Sequence, residues 1–297
     1  MNDDFIHIPI LSASILDFFS TTKKKFFLDC TAGEGGHTFQ ILEKFPDSRV
    51  YMIDRDPEMV ERALMRNREQ QERIVSYNTN FSDPPREILL ETGGLDGILL
   101  DFGISMYHIK KSERGFSFRG EEPLDMRLDG SSKKTASIIL NTYKKEELLR
   151  IFLEYGEEKW SKKIVEVLLD HRRKNPIQTN KQLTELIERI IPKKFWPPHQ
   201  HPASRIYQAL RIEVNRELDH IAESLPVLAS YLAPGGIICC ISFHSLEDRV
   251  VKLGFKELRE KNILEILTKK PILPDTEEVK ENPASRSAKL RVGKKMG

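Results

Sequence analysis

Through the first third of the chain, short apolar runs alternate with longer stretches in which apolar positions recur every three or four residues. The first pattern predicts strands and the second helices. "KFFLDC", "RVYMID", "RIVSYN" and "LDGILLDFG" read as four strands. "HTFQILEKF" and "DPEMVERALMRNREQQ" read as helices, the second with Pro57 near its start. The strands are apolar on both faces rather than alternating. They are therefore expected to form a parallel α/β sheet, Rossmann-like, with helices covering either side. "APGGIICCISF" reads as a fifth strand of that sheet.

Between Asp101 and Gly236 lie more than a hundred residues, where a parallel crossover needs only about a dozen. The period there is helical. "KKEELLRIFLEYG" and "EEKWSKKIVEVLLDHRRK" come first, then "TNKQLTELIERII", opened by a T-x-x-Q capping box at Thr179 and Gln182. "KKFWPPHQHP" interrupts the pattern with its prolines. After it, Ile206, Leu210, Val214, Leu218, Ile221 and Leu225 share one helical stripe, expected as a single helix that rejoins the sheet. The expected organisation is a core domain made of 1–105 and 201–297, with a small helical insert, 106–200, for substrate recognition.

Composition narrows the class. With 39% hydrophobic and 31% charged residues the chain is ordinary globular protein. The acidic "MNDDFIHIPI" lacks the basic and apolar regions of a signal peptide. "IICCISF", the longest apolar run, is far too short to span a membrane. Cys30, Cys239 and Cys240 form no C-x-x-C pair, so neither a disulfide framework nor a metal site is expected, and a reducing cytoplasm suits them. Net charge is only +2, but it is unevenly placed. Trp160 to Arg205 holds ten Lys/Arg against four Asp/Glu, and Pro283 to Gly297 holds five Lys/Arg and no acid. Such clustering suits nucleic-acid contact or, equally, a solvated face and a frayed tail.

The chemistry starts at "FFLDCTAGEGGHTFQ". Gly33, Gly35 and Gly36 follow a predicted strand and precede a predicted helix. Glycine there lets backbone approach a ligand beyond the carboxyl ends of the strands. Asp54 ends the next strand about 20 residues on, where an acid can hold both hydroxyls of a ribose. A dinucleotide would also set its pyrophosphate on the helix N-terminus. Asp29 and Glu34 would repel it, while a cofactor with a cationic centre would be welcome. S-adenosylmethionine fits better than NAD. Phe81 is placed either to stack on adenine or to pack in the core. Asp101 ends the fourth strand, facing the same crevice.

"TAGEGGH", "DGILLDFGIS", "ERGFSF", "PLDMRLD", "HPASRIYQALRIEVNREL", "APGG", "ISFHSLEDRVVK" and "NPASRSAKLR" occur in this order between about His7 and Arg291. Together they resemble the bacterial small-subunit ribosomal RNA cytosine-N4 methyltransferases. The resemblance implies a class I methyltransferase fold with a helical insert. It also implies methyl transfer from S-adenosylmethionine to N4 of a cytidine in the decoding region of 16S rRNA, within the small ribosomal subunit. A homodimer is left open. By the same match, cofactor contacts fall on Gly35, Gly36, His37, Asp54, Phe81 and Asp101, and on His108, where the family has Gln in a D-L-G-V-S-S-x-Q run. Met106, Tyr107 and His108 depart from that run.

The reaction is an in-line displacement at a sulfonium methyl, so positioning carries most of it. An acceptor on the amine would help, and Asp101 is placed for that or for cofactor binding alone. The base must leave its stack. Arg114, Phe116 and Phe118 in "ERGFSFRG", and Phe243 and His244 in "ISFHS", are candidates to hold it. His244 reads equally as a helix entry beside the Ser245–Asp248 S-x-x-D box. Arg205 and the basic tail through Arg286, Lys289 and Arg291 are candidate phosphate contacts. An NAD-dependent oxidoreductase and a non-catalytic RNA-binding assembly factor are the competing readings.

Overall fold

The computed structural model describes residues 8–297 except Lys24, Ser131 and His199; His7, where the resemblance begins, lies outside the described residues. The elements run α1 (Ser12–Phe19), β1 (Phe26–Asp29), α2 (Gly36–Lys44), β2 (Arg49–Asp54), α3 (Pro57–Arg66), β3 (Ile74–Asn78), α4 (Arg86–Thr92) and β4 (Leu95–Asp101). Six helices follow: α5 (Met106–Lys110), α6 (Ala136–Thr142), α7 (Lys145–Glu154), α8 (Ser161–Arg172), α9 (Asn180–Ile190) and α10 (Ser204–Asn215). The chain closes with α11 (Glu217–Tyr231), β5 (Leu232–Ser242), α12 (Ser245–Glu260), β6 (Leu264–Ile266), α13 (Thr276–Glu281) and β7 (Lys289–Lys295).

Among the described residues, all seven strands form one sheet in the order β3-β2-β1-β4-β5-β7-β6. The first five are parallel, and β7 is antiparallel to both β5 and β6. This is the class I methyltransferase arrangement that the resemblance implies. Side chains alternate across the sheet, as a strand requires. Leu28, Tyr51, Ile53, Ile98, Leu100, Ile238 and Cys240 meet Leu225 and Leu228 of α11 and Phe255 and Leu258 of α12 on one face. Phe27, Val50, Leu99, Ile237, Cys239 and Ile241 meet Phe19 of α1 and Ile41 of α2 on the other. Both faces are buried, which is why the strands lack polar alternation.

The adjacent Cys239 and Cys240 thus lie on opposite faces of β5. Burial pushes these thiols and that of Cys30 well up. Native protein should therefore give almost no reaction with a thiol reagent at neutral pH, and denatured protein should give three equivalents. Rapid labelling of the native protein would contradict this packing.

The chain divides into two compact units, one ending at Ser105 and resuming at Leu218, the other Met106–Glu217. The expected insert boundary at residue 200 is corrected here, because α10 belongs to the second unit. The predicted stripe is real but serves two cores. Ile206 and Leu210 are buried in the helical unit, whereas Ile221 and Leu225 lie in the sheet cluster. The break falls at Arg216, whose φ of 51° is left-handed. The preceding Asn215 has its amide consumed by backbone: Oδ1 accepts from Leu128 N at 3.0 Å, and Nδ2 donates to Met126 O at 2.7 Å.

A second correction concerns the C-terminal basic run. From Lys289 to Lys295 it is strand β7, inside the sheet between β5 and β6, not a frayed tail. Arg291 is 7% exposed, and its guanidinium grips Asp248 at 2.6 and 3.1 Å. It is therefore not a phosphate contact, whereas Arg286 remains exposed. Among the described residues, no helix is long and apolar enough to cross a membrane.

Candidate functional site

Parallel strands β1, β2 and β4 end side by side at Asp29, Asp54 and Asp101. β1 lies between β2 and β4, and the chain order reverses there, so a crevice opens beyond these ends. The loop from Cys30 to Gly35 crosses it, tied to the sheet by Cys30 N to Leu99 O at 2.9 Å and Ala32 N to Ile53 O at 3.0 Å.

The three loop glycines have different reasons to be glycine. A Cβ on Gly35 (φ +74°) would sit 2.6 Å from Asn67 Nδ2 and 2.9 Å from Ala63 Cα, and one on Gly36 would sit 2.6 Å from Pro9 Cγ. These two are dense packing positions, clamped further by Asn67 Nδ2 donating to Gly35 O at 3.1 Å. Both positions therefore exclude a side chain. Only Gly33 (φ +49°) has room, its nearest would-be neighbour being Thr31 O at 3.9 Å.

Gly33 N donates to Asp54 Oδ2 at 2.9 Å, and Asp56 N donates to Asp54 Oδ1 at 2.9 Å. One carboxylate therefore fixes both the loop and the start of α3. This link joins two elements through backbone donors. The sequence signal for it is only the spacing between the residues.

On the other side of β1, Asp101 N donates to Thr31 Oγ1 at 2.7 Å. Asp101 Oδ2 lies 3.5 Å from His37 Nε2, with side chains only 10% and 7% exposed. Asp101 Oδ1 and His37 Nε2 are buried with no hydrogen-bond partner among the described residues. Buried polar atoms are normally paired, and exceptions need an explanation such as a ligand. Beneath them, Asp29 accepts from Thr38 Oγ1 at 2.8 Å and Thr31 N at 3.3 Å. Thr31 and Thr38, which sequence reasoning missed, are the struts of this corner.

Burial raises the Asp29 carboxyl above the ordinary aspartate value; His37, Thr38 and Thr31 oppose the rise, and Asp101 adds to it. The folded state therefore holds this proton more tightly than the unfolded one. The ionised carboxylate costs stability above the unfolded value, and the cost fades as pH falls through the folded value. Asp29→Asn should raise Tm at neutral pH, with the gain vanishing in acid, while weakening cofactor binding. A lower Tm at neutral pH would show that the charge is fully compensated.

Glu34 does not present its charge to the crevice. It is 1% exposed and accepts from Arg62 Nη2 at 2.6 Å and Nε at 3.1 Å. The expected repulsion of phosphate thus falls to Asp29 and Asp101, and Glu34 serves to hold α3.

Phe81, just beyond β3, is half-buried against the sheet cluster, its ring 6.0 Å from that of Phe102. Phe243 follows β5 and is also half-buried, its Cδ2 3.6 Å from where a Cβ on Gly103 would stand. His244 is the cap of α12: its Nδ1 accepts from Glu247 N at 3.3 Å, and Glu247 Oε2 accepts from Phe243 N at 2.7 Å. The helix entry is thus His244 with Glu247, not Ser245 with Asp248, which is committed to Arg291.

Within the helical unit, His108 is buried with its ring 5.7 Å from Phe116, itself 6% exposed. Phe116 is core rather than an open stacking platform. Phe118 stacks on His201 at 4.9 Å and meets the edge of Tyr207 at 4.9 Å. Arg114 Nη1 donates to Leu128 O at 3.0 Å, and Arg205 Nη1 donates to Glu157 O at 2.8 Å. Carbonyls thus occupy part of each guanidinium expected to meet RNA.

The sequence profile of the MraW methylase family matches residues 4–296. Proteins named ribosomal RNA small subunit methyltransferase H are similar along nearly the whole chain. That of Leptospira interrogans serovar copenhageni is 53% identical, covering 98% of this chain and 89% of its own length. Those of Leptospira biflexa and Persephonella marina are 48% and 42% identical, covering 96% and 98% of this chain and 94% and 99% of their own lengths.

Proposed function

The chain belongs to the MraW methylase family, and we propose that it transfers a methyl group from S-adenosylmethionine to N4 of a cytidine in 16S rRNA, within the small ribosomal subunit. The observation that carries the site assignment is the corner where buried Asp101 Oδ1 and His37 Nε2 lack hydrogen-bond partners among the described residues. The open face at Gly33, the tethered Asp54 and the carboxylates of buried Asp29 and nearly buried Asp101 suit a ribose, a cationic sulfur and an amino-acid tail. They suit a pyrophosphate poorly, which disfavours NAD.

In this reading Asp54 accepts from the ribose hydroxyls while its backbone bonds keep the loop shaped. Phe81 lies against the adenine. Asp101 accepts from the ammonium of the tail, and His37 donates to its carboxylate. The bound cofactor supplies an electrophilic methyl on a sulfonium. The protein's part is to hold the amine in line with it and exclude water, since positioning is where most of the rate arises. Phe243, at the end of β5, is the aromatic available to an extruded base, and exposed Arg286 is available to phosphate.

Asp101 has a second reading, as the acceptor on the reacting amine. Asp101→Asn separates the two. A cofactor-binding role predicts a raised KM for S-adenosylmethionine with kcat nearly kept. An amine-acceptor role predicts a fall in kcat of about a hundredfold. The function itself is tested by mass spectrometry of rRNA nucleosides from cells with and without the protein. It is also tested by labelled methyl transfer to small-subunit particles and to free 16S rRNA from the deficient cells. No change in N4-methylcytidine content would sink it.

A further inference from the structure

A second concavity, of about 590 Å³, lies in the sheet unit between α12 and the edge strand β6. Helix α12 leaves the carboxyl end of β5 and runs back along the sheet, and its later turns form one wall; β6 and the residues after it form the other. Lys252, Lys256 and Arg259 recur at i, i+4 and i+7, which puts them on one face of α12 over a rise of about 10 Å. Lys269 lines the facing wall, and Glu265 is the acid among the lining residues. Lys256 has Glu260 at 3.6 Å. The side chains of Lys252, Arg259 and Lys269 make no ion pair or hydrogen bond among the described residues. Leu253, 57% exposed, and Met296, 41% exposed, supply aliphatic surface beside them.

Like charges converging on a concavity repel one another and focus a positive potential in it. Lysine beside a short edge strand also deters edge-to-edge pairing, but that role requires neither a groove nor cations on both of its walls. We propose that this groove is an auxiliary anchoring site for the sugar–phosphate backbone of the substrate RNA. Lys252, Arg259 and Lys269 take successive phosphates, and the aliphatic surface covers a ribose or base between them. The inference rests on the RNA-methyltransferase reading and adds to it a contact remote from the reacting base.

The test is the triple variant Lys252→Glu, Arg259→Glu, Lys269→Glu in the full chain. A control of equal charge reversal on the same unit, Lys23→Glu, Lys44→Glu, Arg68→Glu, accompanies it. Binding of small-subunit particles from cells lacking the protein is titrated over a salt series. Losing three phosphate contacts should reduce the slope of log K against log salt by about 2. The RNA KM should rise at least about tenfold, with kcat and S-adenosylmethionine affinity unchanged and the control near wild type. An unchanged slope and KM, or an equal loss in the control, would overturn the proposal. So would poly-glutamate competing as well as RNA of equal charge, which would assign the groove to an acidic protein. Failure of the wild type to methylate would instead sink the functional reading, because the slope comparison needs no turnover.

Discussion

Asp54→Ala should weaken S-adenosylmethionine binding by about two orders of magnitude. The carboxylate is expected to accept two ribose hydroxyls, and a hydrogen bond to a charged group contributes about 1.5–3 kcal/mol, each 1.4 kcal/mol being about tenfold in affinity. The same substitution also frees Gly33 N and Asp56 N, which Asp54 holds at 2.9 Å each. The loop therefore loses its shape as well as its ligand contact. Asp54→Asn keeps one acceptor oxygen and should fall between the two. Calorimetric titration with the cofactor measures this directly, and circular dichroism separates it from unfolding. Wild-type affinity in the alanine variant would remove the ribose assignment.

Arg291→Met should lower the Tm of the sheet unit by about 6–10 °C. The guanidinium is almost sealed and the Asp248 side chain is 17% exposed, so removing the cation strands a carboxylate in low dielectric. Breaking a buried pair from one side costs about 3–5 kcal/mol, here nearer the lower figure because Asp248 keeps some solvent. About 2–4 °C per kcal/mol then sets the Tm shift. Adding Asp248→Leu should recover most of the loss, since the stranded charge is gone. The salt slope of RNA binding should not change in the single variant, because Arg291 already has its counter-ion. A Tm within a degree of wild type would show that the pair is well solvated.

Arg291 also shows where sequence reasoning stops. A run of five cations with no acid looks like a solvated tail. Nothing local reveals that β7 pairs with both β5 and β6, or that Asp248, 43 positions away, waits for the guanidinium. Glu34 is similar: its place in a glycine loop predicts a charge facing the ligand, and Arg62 on α3 removes it.

By itself the sequence determined the five parallel strands, the glycine loop between the first strand and the helix after it, the Thr179 cap and, through eight ordered motifs, the family. Each of these depends on local periodicity, local turn chemistry or runs of consecutive residues. The tertiary structure alone decided the rest: that α10 packs with the helical unit, that Gly35 and Gly36 serve packing while Gly33 stays open, and that His37 and Asp101 share a buried corner. Those facts depend on which distant side chain occupies the space beside a residue. In a dense interior that neighbour is set by the path of the whole chain, not by the residues next in line.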